Sequence, residues 1–170
     1  IGSIIGATFA IRVQMTQMPQ MVAIFNGFGG GASALVAAAE FFTKHGTTDL
    51  TTFMSGTIVL SVFIGTLTFS GSFIAFGKLQ GFISGKPIVF SGQQVINAIL
   101  VIILLSIGVL ITIGMNQELN LFYGIIILAL LLGITLTIPI GGADMPVVIS
   151  LLNSYSGIAA SATGFVLLNN

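Results

Sequence analysis

The stretch Val95-Ile-Asn-Ala-Ile-Leu-Val-Ile-Ile-Leu-Leu-Ser-Ile-Gly-Val-Leu-Ile-Thr-Ile113 decides the class of fold, because it contains no charged residue. A helix of about 20 apolar residues crosses the hydrocarbon core of a bilayer. The strands of a membrane barrel alternate between apolar and polar residues, and this stretch does not alternate. It therefore predicts a transmembrane helix.

The composition of the whole chain points the same way. Of 170 residues, 55% are hydrophobic and 5% are charged, whereas a soluble domain carries about 25% charged residues. Four basic and four acidic side chains cannot cover the surface of a soluble globule. The composition excludes a soluble domain, a disordered chain and, since there is no basic patch, a nucleic-acid-binding protein. Without cysteine, the chain has no disulfide framework, cysteine-based metal site or thiol catalysis.

Apolar segments recur along the chain with short connections between them, which leave no room for a folded domain outside the membrane. The first segment is too short to cross a bilayer, and the chain reads like a piece of a longer subunit. We therefore expect an all-α polytopic bundle of about six spans over residues 1–170, in which the spans at the two chain ends can be incomplete. The segments are 1–13, 19–42, 53–77, 95–113, 121–140 and 146–168.

The basic residues favour one orientation. Odd-numbered connections carry Arg12, Lys78 and Lys86, whereas Lys44 is the basic residue of the even-numbered ones, where His45 lies beside it. Cytoplasmic loops are enriched in Lys and Arg, so we predict the odd-numbered connections on the cytoplasmic side, or the matrix side in a mitochondrion. We expect the basic side chains to reach water from the span ends, and His45 to be solvated.

Small and polar residues follow helical spacing on three segments, so each set lies on one face of its helix. Such stripes are typical of close helix packing, and they also fit a hydrated pathway between the three helices. Both interpretations stay open at this point. The stripes are Asn26, Gly30, Ser33, Ala37 and Glu40; Thr57, Ser61, Gly65, Thr68 and Ser72; and Ser150, Ser154, Gly157, Ser161 and Gly164, with Asn153 beside the last.

The amides Asn26 and Asn153 favour the pathway, because an unpaired amide in hydrocarbon is costly. We expect them to pair with each other, with a water chain, or with both. No carboxylate or histidine lies at the centre of a segment. If protons cross, they would therefore cross through water and amides, or use a titrating group from elsewhere.

The glycine run 27–31 looks superficially like a phosphate-binding loop. A dinucleotide fingerprint needs a strand before the glycines and a helix after them, and this run lies inside an apolar segment. Gly27 and Gly31 instead form a GxxxG helix-packing pair, and Gly2 and Gly6 form a second one.

Asp144 lies in the distinctive connection between the fifth and sixth segments. We predict it as the N-cap of the sixth helix, with Pro146 in the first turn. Its role is either that of a cap or that of a charge on the rim that pairs, unpairs or protonates. Nine residues separate Asp144 from Asn153, which is about 13 Å along a helix and would link the rim to mid-membrane.

Three stretches resemble one family, in the right order along the chain. They are Met15-Thr-Gln-Met-Pro-Gln-Met-Val-Ala-Ile-Phe-Asn26; Thr68-Phe-Ser-Gly-Ser-Phe-Ile-Ala-Phe-Gly-Lys-Leu79 with Ile83-Ser-Gly-Lys-Pro87; and Ile140-Gly-Gly-Ala-Asp-Met-Pro-Val-Val-Ile-Ser-Leu-Leu-Asn-Ser-Tyr-Ser-Gly157. All resemble the membrane domain of the β subunit of proton-translocating nicotinamide nucleotide transhydrogenases.

The resemblance implies an oxidoreductase that couples hydride transfer between NAD(H) and NADP(H) to proton movement across a membrane. Both cofactors bind separate soluble domains outside these residues, so no hydride-transfer or cofactor site is expected here. The family implies a homodimer of protomers, with further membrane helices from the α side. The implied location is the bacterial cytoplasmic membrane, or the mitochondrial inner membrane in eukaryotic relatives.

The resemblance also assigns residues. Asp144 matches a loop aspartate linked to coupling with the NADP(H)-binding domain, and Gly157 matches a family glycine on the following helix. Asn153 matches a channel-lining asparagine, with Ser150 and Ser154 beside it.

Asn26 departs from the pattern, because some members carry the titrating histidine of their proton path at this position. An amide cannot hold and release a proton. We therefore predict that an α-side helix packed against the second and sixth segments supplies the histidine. The alternatives are a transporter or channel for a small solute, which would favour inverted repeats, and a purely structural subunit.

Overall fold

The computed structural model describes residues 1–47, 50–113 and 119–167. Within these ranges the chain forms six α-helices and no strand, so the prediction of an all-α fold is confirmed. Five helices are long and apolar enough to cross a membrane, and α1 is too short, as predicted. The helices are α1 Gly2–Arg12, α2 Met18–Lys44, α3 Thr52–Leu79, α4 Gln93–Thr112, α5 Leu119–Thr137 and α6 Met145–Val166, with 3-10 turns at Met15–Gln17 and Gly142–Asp144.

Local sequence signals explain where these helices begin. Pro19 and Pro146 stand in the first turns of α2 and α6, where a missing N–H and a fixed φ are favourable. Thr51 caps α3, because its hydroxyl accepts the Met54 N–H at 3.2 Å. Gly92 precedes α4 with φ of 82°, a left-handed conformation that glycine adopts without strain.

Helix α3 lies at the centre of the bundle and packs against α2, α4, α5 and α6. Side-chain contacts join Asn26 of α2 to Ser156 of α6, and Ser33 of α2 to Thr163 of α6. Both residue numbers rise together, so α2 and α6 run parallel and begin on the same side. Helix α3 runs antiparallel to both.

The outer helices present apolar surface. No residue of α1 is buried, and its Phe9 ring lies 6.2 Å from the Phe25 ring of α2. Most of α4 is exposed, with Ile102, Leu105 and Val109 on its outer face. Bulky aliphatic side chains suit lipid contact, which is the environment that the sequence predicts for α4.

Glycines bring α2 and α3 into backbone contact. A Cβ built on Gly65 would lie 2.5 Å from the carbonyl oxygen of Gly30, which no real side chain tolerates. Gly27 and Gly31 face the rings of Phe73 and Phe69 on either side of this crossing. Gly27 and Gly31 therefore act in helix packing, as predicted, and the closest approach is at Gly30 between them. Gly2 and Gly6 have no such neighbour within the described residues.

Candidate functional site

A buried cluster of polar side chains joins three helices around Asn26. The Asn26 amide donates to the Ser72 hydroxyl at 2.9 Å, and its oxygen accepts from the Ser156 hydroxyl at 2.6 Å. Asn26 is 6% exposed and Ser72 is fully buried. Both ends of the amide are thus satisfied by hydroxyls of α3 and α6, which removes the cost of an amide in hydrocarbon.

A second polar cluster lies farther along the same helices. The hydroxyls of Ser61 and Thr163 are 2.6 Å apart, and both also approach the Ser33 carbonyl oxygen of α2, at 3.4 and 3.3 Å. The Ser61 hydroxyl is 3.1 Å from the Ala159 carbonyl of α6 as well. Each hydroxyl has more acceptors than it has protons, so the bonds of this cluster can exchange.

Thr68 lies between the two clusters on α3. It is fully buried, and its hydroxyl has no hydrogen-bond partner in the described part of the chain. Eleven residues separate Ser61 from Ser72, which is about 16 Å along a helix. We call Asn26, Ser61, Thr68, Ser72, Ser156 and Thr163 together the polar column.

The chemistry of the polar column is restricted to hydrogen bonding. Hydroxyls and an amide donate and accept protons along hydrogen bonds, but none of them ionises near neutral pH. The column can therefore hold water or pass a proton between neighbours. It cannot store a proton.

The predicted stripe of α6 lies on the exposed face of the helix, where Ser150 and Asn153 border α2 at an open groove. It therefore does not line a path enclosed by the three helices, which was one of the two interpretations that the sequence left open. Position in a sequence identifies a helix face but not its neighbour, and large apolar side chains occur on both faces of α6. The exposed residues are Ser150, Asn153, Ser154, Gly157 and Ser161. The inward face carries Met145, Ile149, Leu152, Ser156, Ala159, Thr163 and Val166, of which Ser156 is partly buried and the others are buried.

Asn26 and Asn153 are therefore not paired with each other. Asn153 lies on the outer face of α6, at an open groove of about 350 Å³ beside α2, whose Pro19 and Val22 form the other wall. Ser156 and Thr163 were missed as partners of Asn26 and Ser61. Ser156 and Thr163 follow Ile149 at intervals of seven residues, so all three fall on one helical face. This periodicity could have predicted that the two hydroxyls lie on the same face as Ile149.

Asp144 occupies the N-cap position of α6, as predicted. Its carboxylate makes no cap hydrogen bond, since its backbone already has a helical conformation with φ of −91° and ψ of −3°. The side chain is exposed, and within the described ranges no basic side chain forms an ion pair with it. It is available to an external partner.

Lys78 does not reach toward water, which corrects the prediction for this residue. It is 4% exposed, and its ammonium donates to the carbonyl oxygens of Lys86, Ile138 and Ile140 at 3.2, 2.5 and 2.8 Å. The carbonyls that follow the end of α5 lack helical partners and attract a cation, which explains the inward turn.

His45 is partly buried rather than solvated. Its ring lies 5.4 Å from the Phe41 ring, and its Nδ1 atom is buried without a hydrogen-bond partner in the residues described. Lys44 beside it forms an ion pair with Glu40 at 2.8 Å.

The glycine run 27–31 does not fit a phosphate group. The glycine run 27–31 lies within α2 against the side chains of α3, and a Cβ on Gly30 would already meet Gly65 and Thr68 at 2.8 and 3.0 Å. No space remains there for a phosphate group. Within the described ranges, no group of three His, Cys, Asp or Glu side chains could hold a metal ion.

Comparison with known proteins agrees with the resemblance carried by residues 140–157. A family model described as NAD(P) transhydrogenase beta subunit matches residues 1–170. Two proteins named NAD(P) transhydrogenase subunit beta, both from Rhodospirillum rubrum and one of them from a defined strain, are each 45% identical over 174 residues. The match covers 99% of this chain and 37% of each relative, so the chain spans little more than a third of their length. The chain belongs to the NAD(P) transhydrogenase beta subunit family.

Proposed function

We propose that this chain is the proton-conducting membrane part of an NAD(P) transhydrogenase. In that enzyme, hydride transfer between NAD(H) and NADP(H) on separate soluble domains would be coupled to proton movement past these helices. The single observation that carries the proposal is the polar column, a buried series of hydroxyls and one amide whose hydrogen bonds join α2, α3 and α6. Neither the family nor the relatives support the alternative of a solute transporter.

The proton path needs a titrating group, because the polar column has none. We propose that it is a histidine on an α-side membrane helix. The support is the exposed face of α6, where Ser150, Asn153 and Ser154 would otherwise contact lipid. Polar and small residues on such a face favour a neighbouring helix, which Gly157 allows to approach closely.

In this arrangement Asn153 faces the partner helix. On the inner face of α6, Ser156 lies three residues further along and bonds Asn26. We propose that water admitted between α6 and the partner connects the histidine to the polar column. The open groove at Asn153, Pro19 and Val22 is the place where such water would enter.

Asp144 is the proposed contact with the NADP(H)-binding domain. Its free carboxylate stands at the beginning of α6, nine residues before Asn153. A change in how the domain holds Asp144 would move the first turns of α6 and with them the groove. Coupling of this kind requires two states of α6 that the nucleotide biases differently.

The proposal also covers the orientation of the chain in the membrane, its location and the oligomeric state of the enzyme. The side that carries Arg12, Lys86 and Asp144 would be cytoplasmic, or in a mitochondrion the matrix side, and would face both nucleotide-binding domains. The enzyme would be a homodimer of protomers in the bacterial cytoplasmic membrane.

The test uses the full enzyme in sealed vesicles, with hydride transfer and the pH gradient measured together. Asp144→Asn and Asn153→Leu should each lower proton translocation several-fold per hydride transferred. Ser106→Ala is the control, because that exposed hydroxyl on α4 bonds the Ile102 carbonyl of its own helix. Unchanged coupling in both Asp144→Asn and Asn153→Leu would refute the assigned roles.

The origin of the histidine has its own test. Replacing each histidine of the α-side membrane helices by alanine should reveal one whose loss stops proton translocation. Asn26→His, combined with that loss, should restore part of the translocation, because it returns a titrating group to the polar column. If no α-side histidine is required, the partner-helix proposal is wrong.

A further inference from the structure

The end of α3 carries a buried charge that the proposed proton path does not use. Lys78 is 4% exposed, and its ammonium donates to three carbonyl oxygens. An ammonium has three donors and no acceptor, so these contacts use its full hydrogen-bonding capacity. Among the described residues, no carboxylate pairs with it.

The three carbonyls belong to two different connections on the Asp144 side. Lys86 lies in the connection 80–92, whereas Ile138 and Ile140 follow the end of α5. Lys78 therefore ties the end of α3 to both connections at once. We call these three contacts the Lys78 clamp.

Backbone hydrogen bonds continue the clamp toward Asp144. The Ile88 N–H donates to the Ile138 carbonyl at 3.3 Å, and the Gly142 N–H donates to the Gly85 carbonyl at 2.8 Å. Gly142 begins the 3-10 turn that ends at Asp144. The turn that carries the rim carboxylate is thus held against the connection 80–92, which the clamp holds against α3.

Burying the charge of Lys78 is energetically unfavourable, so its presence at this position needs a physical reason. A buried ammonium loses its hydration, which is unfavourable, and a methionine would fill similar space without that loss. What the ammonium adds is the fixed position of three carbonyls from two connections. We propose that Lys78 is a positioning residue, which holds the Asp144 turn so that a force on Asp144 moves α6 instead of bending the connection.

This inference rests on the proposed function, and its first test again uses the full enzyme in vesicles. Lys78→Met should lower the number of protons translocated per hydride several-fold while hydride transfer itself continues. Lys78→Arg should retain most of the coupling, because a guanidinium also donates to several carbonyls. Arg12→Met is the control. It also removes a positive charge on the same side of the bundle, but the Arg12 side chain is exposed.

An engineered disulfide gives a second test that does not depend on how well Lys78→Met folds. A Cβ built on Gly142 would lie 3.5 Å from the Cα atom of Gly85, so the two Cα atoms are within about 5 Å of each other, and disulfides join Cα atoms about 4.4–6.8 Å apart. This chain has no cysteine of its own, so Gly85→Cys and Gly142→Cys form the only cysteine pair when the other parts of the enzyme are made cysteine-free. With Lys78 present, the oxidised pair should keep full coupling. Added to Lys78→Met, oxidation should restore coupling, and reduction should remove it again.

The outcomes separate the two proposals. If the oxidised pair with Lys78 present loses coupling, the connections must separate during turnover, and the clamp is overturned. The clamp is equally overturned if Lys78→Met couples as well as Arg12→Met, or if oxidation does not rescue Lys78→Met. Should Asp144→Asn remain fully coupled, the failure lies in the proposed function of the rim.

Discussion

The contact between α2 and α3 gives a prediction that isolates one packing term. Gly29 and Gly30 are neighbours in the middle of α2, but only Gly30 faces α3. A Cβ on Gly30 would lie 2.8 Å from the Gly65 carbonyl oxygen, whereas a Cβ on Gly29 would have no neighbour within 4 Å. Gly30→Ala and Gly29→Ala therefore differ in packing alone.

The magnitude follows from two opposing terms. Replacing glycine by alanine inside a helix stabilises it by roughly 0.5–1 kcal/mol, and this gain is common to both variants. Overpacking against a backbone atom that has no room to move costs about 1–3 kcal/mol, and only Gly30→Ala incurs it. The two variants should differ by about 1–3 kcal/mol in the free energy of unfolding, or roughly 2–12 °C in Tm for a chain of this size.

The assay is thermal unfolding in detergent, followed by a thiol-reactive dye. Because the chain has no cysteine, Ala129→Cys at a fully buried position of α5 reports unfolding of this part of the enzyme, provided the other parts are cysteine-free. Gly29→Ala should melt at or slightly above the parent protein, and Gly30→Ala should melt roughly 2–12 °C below Gly29→Ala. Equal melting of the two variants would show that the Gly65 carbonyl does not limit the approach of the helices.

The other predictions concern single side chains. Ser156→Ala removes one hydrogen bond from Asn26; it should cost only about 0.6 kcal/mol, and at most about 1.7, in the melting assay, yet lower proton translocation several-fold in vesicles. Phe122→Leu removes a stacked pair with ring centroids 3.9 Å apart at a fully buried position and should cost at least about 0.5–1.5 kcal/mol in the same melting assay. Glu40→Gln breaks a partly exposed ion pair with Lys44 and should change the free energy of unfolding by less than about 0.5 kcal/mol, an effect that added salt should reduce further.

The helices were predictable because each membrane span requires a run of about 20 apolar residues, which is visible in the sequence. The segment predicted over 53–77 became α3 at Thr52–Leu79, and the one predicted over 19–42 became α2 at Met18–Lys44. Glycine and proline at the ends, and the length needed to cross a bilayer, leave little freedom for such helices.

The orientation of α6 was not predictable in the same way. Periodicity places Ser150 and Ser154 on one face and Ser156 and Thr163 on another, but both faces contain small and polar residues. The choice between them depends on how Met145 and its apolar neighbours fit against α2 and α3, which is a property of the packed bundle.

The inward turn of Lys78 was hidden for a related reason. A lysine at a helix end usually extends to water, and its acceptors at Ile138 and Ile140 are about 60 residues away along the chain. Only the folded arrangement of α3 and α5 brings those carbonyls within reach.

The contact of Gly30 with Gly65 also divides the bundle into parts that differ in freedom of movement. Two helices that meet through backbone atoms cannot rotate or shift against each other without collision, because neither has a side chain there that could change its rotamer. Helix α6 instead meets this pair partly through Ser156 and Thr163, whose hydroxyls can turn to new acceptors. A displacement of α6 therefore requires only an exchange of hydrogen bonds and local repacking, while α2 and α3 remain a fixed frame against which it moves.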